Sequence, residues 1–218
     1  MSYKEQSFFR DILVTEIFYI ATKDKKMIRA KDSDYICAWS DRDLAESYLK
    51  DAQVPYDKIH EMDIDRFATY EVDEVFDKGD HVLINPSADE EGTQIDIVEV
   101  TEELMTELDN IRVKEFAKDV AKEDSVYGLT RKDENHFIMI GDKPDEKPHI
   151  MPVWSIRNRA AKVRDHDFEE CEVIEIEGEV FAEWLDELRD DDNAVGVDLK
   201  AGVVGTVVSA QTLADEMY

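Results

Sequence analysis

Trp39-Ser40-Asp41-Arg42-Asp43-Leu44-Ala45 is answered 115 residues later by Trp154-Ser155-Ile156-Arg157-Asn158-Arg159-Ala160, with Trp, Ser, Arg and Ala in the same places. Matches spread outward from this pair in unbroken order. Upstream, Ile17-x-x-Ile20 followed by Lys23-Asp24 returns as Val126-x-x-Leu129 followed by Lys132-Asp133, an offset of 109. Downstream, Phe67-Ala68-x-Tyr70 returns as Phe181-Ala182-x-Trp184 at 114, Val82-x-Ile84 as Val195-x-Val197 at 113, and Leu104 as Leu213 at 109. An offset that rises and falls back is what indels in surface loops produce, because loop length costs little. The rise sits near Gly141 to Pro152, whose three prolines and alternating charges read as an extended loop. A period of this length is that of a small domain, not of a solenoid unit of roughly 20 to 50 residues. The chain therefore reads as two homologous domains, about 1–105 and 106–218.

In the first copy Phe8, Phe9, Ile12 and Leu13 recur at helical spacing, predicting an amphipathic helix over 4–15. Ile17 to Thr22 and Met27 to Ala30, split by a charged turn, read as a hairpin, and Tyr35 to Trp39 as a third strand. Ser40 with Asp43 has the spacing of a capping box, and Leu44, Tyr48 and Leu49 give the following helix an apolar stripe that ends before Pro55. A strand over Lys58–Ile64, a helix over Asp65–Asp77 closed by Gly79, and strands over His81–Asn85 and Gln94–Val100 complete the copy. The second copy reads in the same order: a helix around Leu104–Val120, strands at 126–131 and 136–140, Val153-Trp154, a helix over 156–164, a strand at 171–177, a helix over 179–189, strands at 194–199 and 203–209, and a short tail from Ala210. Strands at both ends of each repeat with helices between predict an α+β class, each copy a mostly antiparallel sheet with about three helices.

This order, a helix, a strand hairpin, a Trp-Ser opening a helix, a Phe-containing helix and a closing hairpin in about 100 residues, resembles a small bacterial family catalogued as domain of unknown function 2750. The resemblance implies two tandem copies covering nearly the whole chain. It brings no activity and no site residues.

The chain carries 54 acidic residues against 26 basic ones, a formal charge of −28. It still has the material for a core. Leu, Ile, Val and Phe number 57 of 218, above the roughly 20% under which highly charged chains stay disordered. Such a charge repels nucleic-acid backbones and anionic membrane surfaces, so neither is an expected partner, whereas a cationic one is permitted. The charge is unevenly spread. Residues 1–50 are net 0 and 51–100 net −12; residues 101–164 are net −1 and 165–218 net −15. Each repeat thus has an acidic back half. No run is long enough to span a bilayer, and Ile12–Ala21 is interrupted by Glu16 and lacks the flanks of a cleavable signal. Cys37 and Cys171 are too few for a disulfide framework and read as buried thiols. The expected setting is the cytoplasm.

No motif supplies catalysis. His60, His81, His136, His149 and His166 show no metal-ligand spacing, and Asp63-x-Asp65 and Asp165-x-Asp167 do not continue into a calcium loop. Nucleophile elbows and phosphate-binding glycine loops are missing from the sequence, and Gly202-x-x-Gly205 reads as a hairpin turn. No metal, cofactor or catalytic residue is assigned. Trp39 and Trp154 read as core, the alternative being a ligand pocket with Arg42 and Arg157 facing an anion one helical turn away. Tyr70 and Trp184 fit the buried face of their helix. Arg157, Arg159, Lys162 and Arg164 place four cations and no acid in 156–164; with Arg42 they are the candidate anion-binding residues. The alternative is that they neutralise acidic segments nearby or dock the other domain. The reading that follows is a non-enzymatic acidic protein that binds a basic protein partner, for example in the manner of an immunity protein against a toxin. The competing reading is a small-molecule or anion binder, or an enzyme, using a cleft between the repeats.

Overall fold

The computed structural model describes residues 3–31, 33–77, 79–132, 136–141, 147–202 and 204–217, with side chains from residue 6 onward. The chain divides into two compact units, Met1–Glu107 and Leu108–Tyr218. The first holds α1 (Tyr3–Thr15), β1 (Ile17–Lys23), β2 (Lys26–Met27), β3 (Ile36–Trp39), α2 (Arg42–Asp51), β4 (Lys58–Asp63), α3 (Ile64–Arg66), a π-helical turn (Phe67–Glu71), α4 (Val72–Val75), β5 (His81–Ile84) and β6 (Thr93–Asp96). Helix α5 (Ile97–Glu123) begins in the first unit and continues into the second. The second unit continues with β7 (Ser125–Arg131), β8 (Ile150–Val153), α6 (Arg157–Asp167), β9 (Cys171–Glu177), α7 (Gly178–Asp190), β10 (Ala194–Lys200), β11 (Val204–Ser209) and α8 (Ala210–Met217).

The two units repeat one topology. In the first, the strands run β4-β1-β3-β5-β6, with β2 also paired to β1; all pairs are antiparallel except β3 with β5. In the second, β9 pairs antiparallel with β7, β8 parallel with β10, and β10 antiparallel with β11. One bridge joins the two halves, with the Tyr127 and Trp154 backbones exchanging both hydrogen bonds at 2.8 Å. Tyr19 opposite Trp39 is its counterpart in the first unit. The α+β class and the mostly antiparallel sheets follow from the sequence; the single parallel pair in each unit does not.

Pairing corrects the alignment of the copies. Tyr19 opposite Trp39 and Tyr127 opposite Trp154 set the first strand at an offset of 108, not 109. Burial agrees: Phe18, Ile20 and Ala21 are buried in β1, as are Val126, Gly128 and Leu129 in β7. A second correction concerns the step from 114 to 113. It lies inside a helix. In α7 the buried Phe181 and Leu185 are four apart, whereas in the first unit the buried Phe67 and Val72 are five apart, with the Val72 N–H bonded to the Phe67 carbonyl. A π turn is a one-residue insertion absorbed by an i→i+5 bond. It also turns Tyr70 outward, leaving it 48% exposed beside Arg66, whose guanidinium stands 5.9 Å from the ring centroid. Tyr70 is therefore not core, while Trp184 packs edge-on against Phe137 at 5.1 Å.

Other boundaries moved for local reasons. Residues 97–100 open α5 because the Asp96 carboxylate accepts from the Val98 and Glu99 N–H groups at 3.0 and 3.1 Å, a cap three residues ahead of a Glu. The tail from Ala210 is likewise a helix, started by Ser209 Oγ on the Thr212 N–H and burying Ala210, Leu213 and Ala214. The segments after β2 and at 136–140 make bridges, not ladders: Ile28 and Ile138 donate to the Ala21 and Leu129 carbonyls. Cys37 donates onward to the Ile28 carbonyl, a bond its counterpart Pro152 cannot make. Pro152 itself lies in β8, so the extended loop ends before it; residues 133–135, 142–146 and 203 lie outside the described ones. Leu44, expected in the apolar stripe of α2, is 46% exposed; Ala45, Tyr48 and Leu49 face the core.

If the π turn is an absorbed insertion, deleting exposed Thr69 restores four-residue spacing and leaves stability, measured as the urea midpoint, within about 1 kcal/mol. Deleting Glu183 from α7 instead carries Leu185 off the buried face and costs about 2 to 5 kcal/mol.

Candidate functional site

Trp39 and Trp154 are fully buried, as core residues should be. Their indole N–H groups donate to the Pro86 and Leu199 carbonyls at 3.2 and 2.9 Å. The serine that follows each is also spoken for. Ser40 N–H donates to Asn85 Oδ1 at 2.9 Å, and Ser155 N–H to Asp198 Oδ1 at 3.0 Å. Their hydroxyls reach a carboxylate of the preceding helix: Ser40 Oγ lies 3.1 Å from Asp11, and Ser155 Oγ 3.4 Å from Asp119 and 2.9 Å from Asp198. Asn85 and Asp198 both have a φ of 46°, the left-handed region that Asn and Asp tolerate. The expected capping box is thus corrected. Ser40 ties strand ends, and Asp41 caps α2, accepting from the Asp43 and Leu44 N–H groups at 2.8 and 3.3 Å. Helix α6 starts at Ile156 with no side-chain cap.

Three of the five candidate cations are paired with acids. Arg42 is held by Glu46 at 2.9 Å in the first unit. In the second, Arg159 bonds Asp198 at 2.8 Å and Arg164 bonds Asp165, leaving Arg157 and Lys162 exposed on α6. The Arg159 pair has a clear cause. Asp198 puts a second carboxylate beside Ser155 where the first unit has the neutral Asn85, and Arg159 supplies the compensating charge where the first unit has Leu44.

The acids, by contrast, are displayed. On α7, Phe181, Ala182 and Leu185 turn inward, while Glu179, Glu183, Asp186, Glu187 and Asp190 recur along the exposed side. The lone cation there, Arg189, is held by Asp186 at 2.8 Å and Asp190 at 3.2 Å. Strand β9, which pairs with β7, adds exposed Glu172, Glu175 and Glu177. In the first unit Glu61 on β4 and Asp73, Glu74, Asp77 and Asp80 around α4 are exposed.

Little here is poised for chemistry. Burial pushes the Cys37 thiol up to about 12, opposed by a hydrogen bond from Tyr48, so it stays protonated and unreactive. His60 shares a 2.9 Å hydrogen bond with Thr22, and His166 one of 2.6 Å with Asp167. Among the described residues no three His, Cys, Asp or Glu side chains group to hold a metal, and no helix is long and apolar enough to cross a membrane.

Fold and site together define a duplicated α+β protein with an acidic helix face and a buried Trp-Ser anchor. The chain belongs to the family described as "Protein of unknown function (DUF2750)", whose model matches twice, over residues 6–104 and 113–217. No curated protein matches it. Among solved structures it is similar to Anabaena Tic22, a protein of protein transport, at 8% identity and a TM-score of 0.24 over 90% of this chain and 93% of that one.

Replacing Ser155 by Ala strands two carboxylates around a buried hydroxyl site, and Ser40→Ala does the same to one carboxylate and one amide; each lowers unfolding free energy by about 1 to 3 kcal/mol in urea titration. In the native state both buried thiols, Cys37 and Cys171, resist iodoacetamide at pH 8, and both alkylate once the chain is unfolded.

Proposed function

We propose that this protein acts without catalysis, by capturing a basic protein partner on its acidic faces, of which the exposed side of α7 is the best defined. The supporting observation is where the acids stand at the end of that helix. Asp190, Asp191 and Asp192 crowd its C-terminus, with Arg189 the one basic residue of the last turn. The helix dipole makes that end negative, so each added carboxylate there opposes folding by about 0.3 to 1 kcal/mol. Solubility alone asks only for net charge anywhere on the surface. Acids concentrated where they cost stability fit a face under selection for a cationic partner, whose encounter they would accelerate in a salt-dependent manner.

Asp191→Asn and Asp192→Asn together should raise the urea midpoint, by about 0.3 to 1 kcal/mol each. The functional test compares Glu179→Gln, Glu183→Gln, Glu187→Gln with a control of equal charge change, Asp34→Asn, Glu107→Gln, Glu115→Gln. Wild type should retain a discrete basic protein from lysate at low salt and release it at high salt, with the α7 variant losing it and the control keeping it. Equal loss in both variants would reduce the interaction to bulk charge and overturn the reading.

A further inference from the structure

The two units differ at one place that the acidic-face reading does not use. In the second, the end of β10 and the start of β11 turn Leu199 and Val204 onto the core. Leu199 is buried against Trp154, Val163 and Leu129, Phe168 packs beside them, and Val204 is buried as well. In the first unit Ile84 opposite Thr93 closes the pair of strands, as far apart in the chain as Val197 and Thr206, but there β5 and β6 end, whereas β10 and β11 run on to Lys200 opposite Val204. Composition differs as well. Pro86 stands for Leu199 and Glu91 for Val204 at the offset of 113, and Gln53 for Phe168 at 115. Gln53 and Glu91 are exposed, whereas Pro86 is buried beside Trp39, whose indole N–H its carbonyl accepts.

Where the second unit is filled, the first holds a cavity of about 650 Å³, within the size range of small-molecule sites. Its walls come from the segment before β3, the end of α2 and the β5–β6 loop. Tyr35 and Tyr48 supply aromatic surface. Asp51, Asp89, Glu90 and Glu91, all exposed, set four carboxylates against one cation among the described lining residues, Lys31. A further wall residue, Ser33, has its hydroxyl oxygen shut off from solvent and, among the described residues, without a hydrogen-bond partner. The loop is held open in a defined shape. Ser87 and Glu90 exchange backbone hydrogen bonds at 2.9 and 3.3 Å, and Gly92, at a φ of 85°, comes so close to the strand that a Cβ would lie 2.7 Å from the Ile84 carbonyl oxygen. Only glycine fits there.

We infer that this cavity, walled in the first repeat by Gln53 and Glu91 where the second has Phe168 and Val204, is a binding site for an organic ammonium or guanidinium group carried on an aliphatic stem. Carboxylates compensate such a charge, and tyrosine rings accept its face and the stem. The site does not depend on α7, which belongs to the second unit. The cation is either a free amine or the Lys or Arg side chain of a basic protein.

Agmatine, carrying both head groups, is the probe, titrated calorimetrically into the full chain. Wild type binds it at one site per chain. Gln53→Phe, which sets a ring at the cavity wall, abolishes binding; its urea midpoint falls, because Gln53 holds a φ of 55° that a bulky side chain resists, and the loss of binding is read under conditions where circular dichroism shows the variant folded. Glu91→Val weakens it about tenfold, and the triple Gln variant of α7 leaves it unchanged. Binding that survives Gln53→Phe, or falls equally in the α7 variant, is diffuse surface association and overturns the inference, as does no heat with wild type. A basic protein retained on α7 and displaced by agmatine shows that the pocket takes the partner's side chain; retention untouched by agmatine shows that it takes a free amine. Both outcomes require the site, and its failure leaves the α7 comparison standing.

Discussion

Everything in each repeat hangs on the joint between a buried tryptophan and the loop that crosses over it. Strands β3 and β5, like β8 and β10, are parallel neighbours separated in the chain by a helix, an edge strand and a second helical segment. A parallel pair of three or four residues has few ladder bonds to hold so long a crossover. The Trp-Ser dipeptide adds three more: indole N–H to the Pro86 or Leu199 carbonyl, serine N–H to Asn85 or Asp198, and serine hydroxyl to a carboxylate of the preceding helix. Helix, central strand and loop are thereby fixed at one point. With the core anchored this way, the outer face of α7 can hold charge instead of packing.

The duplication makes the chain its own control. Where the two copies agree, at the Trp-Ser joint, the shared cause is the fold. Where they part, the difference can be read as a local change with a physical consequence. Asn85 against Asp198 introduces a charge, and Arg159 answers it. The π turn inserts a residue into a helix and turns Tyr70 outward. Glu91 and Gln53 against Val204 and Phe168 border a cavity in the first repeat, where the second buries Val204 and packs Phe168 against its apolar cluster. The acids, meanwhile, stand in the back half of both.

The sequence carried much of this on its surface. Strand 171–177 and the helix after it were legible because the β-branched Val173, Ile174 and Ile176 cluster in a short run and Phe181, Trp184, Leu185 and Leu188 then recur at helical spacing. The Asp96 cap was also legible, followed three residues on by Glu99, yet the β-branched run Ile97-Val98 pulled the reading toward strand. Ala210–Met217 has the spacing of a short amphipathic helix, overlooked because it ends the chain. The Asp11–Ser40–Asn85 joint left one signal: Asp11 and Ser40 recur as Asp119 and Ser155, at 108 and 115, and Asn85 is answered by Asp198 at 113. What hid it is separation, since the partners lie 29 and 45 residues from Ser40.

By itself, the sequence determined the duplication, the α+β class and the acidic back half of each repeat, because these rest on composition, periodicity and order along the chain. Only the tertiary structure decided that Ser40 ties strands and does not cap a helix, that Arg159 and Arg164 of α6 are answered by nearby acids, and that the first repeat holds a cavity walled by carboxylates and tyrosines. Those depend on which distant side chains meet and on whether the space between them is filled, and neither is encoded in spacing.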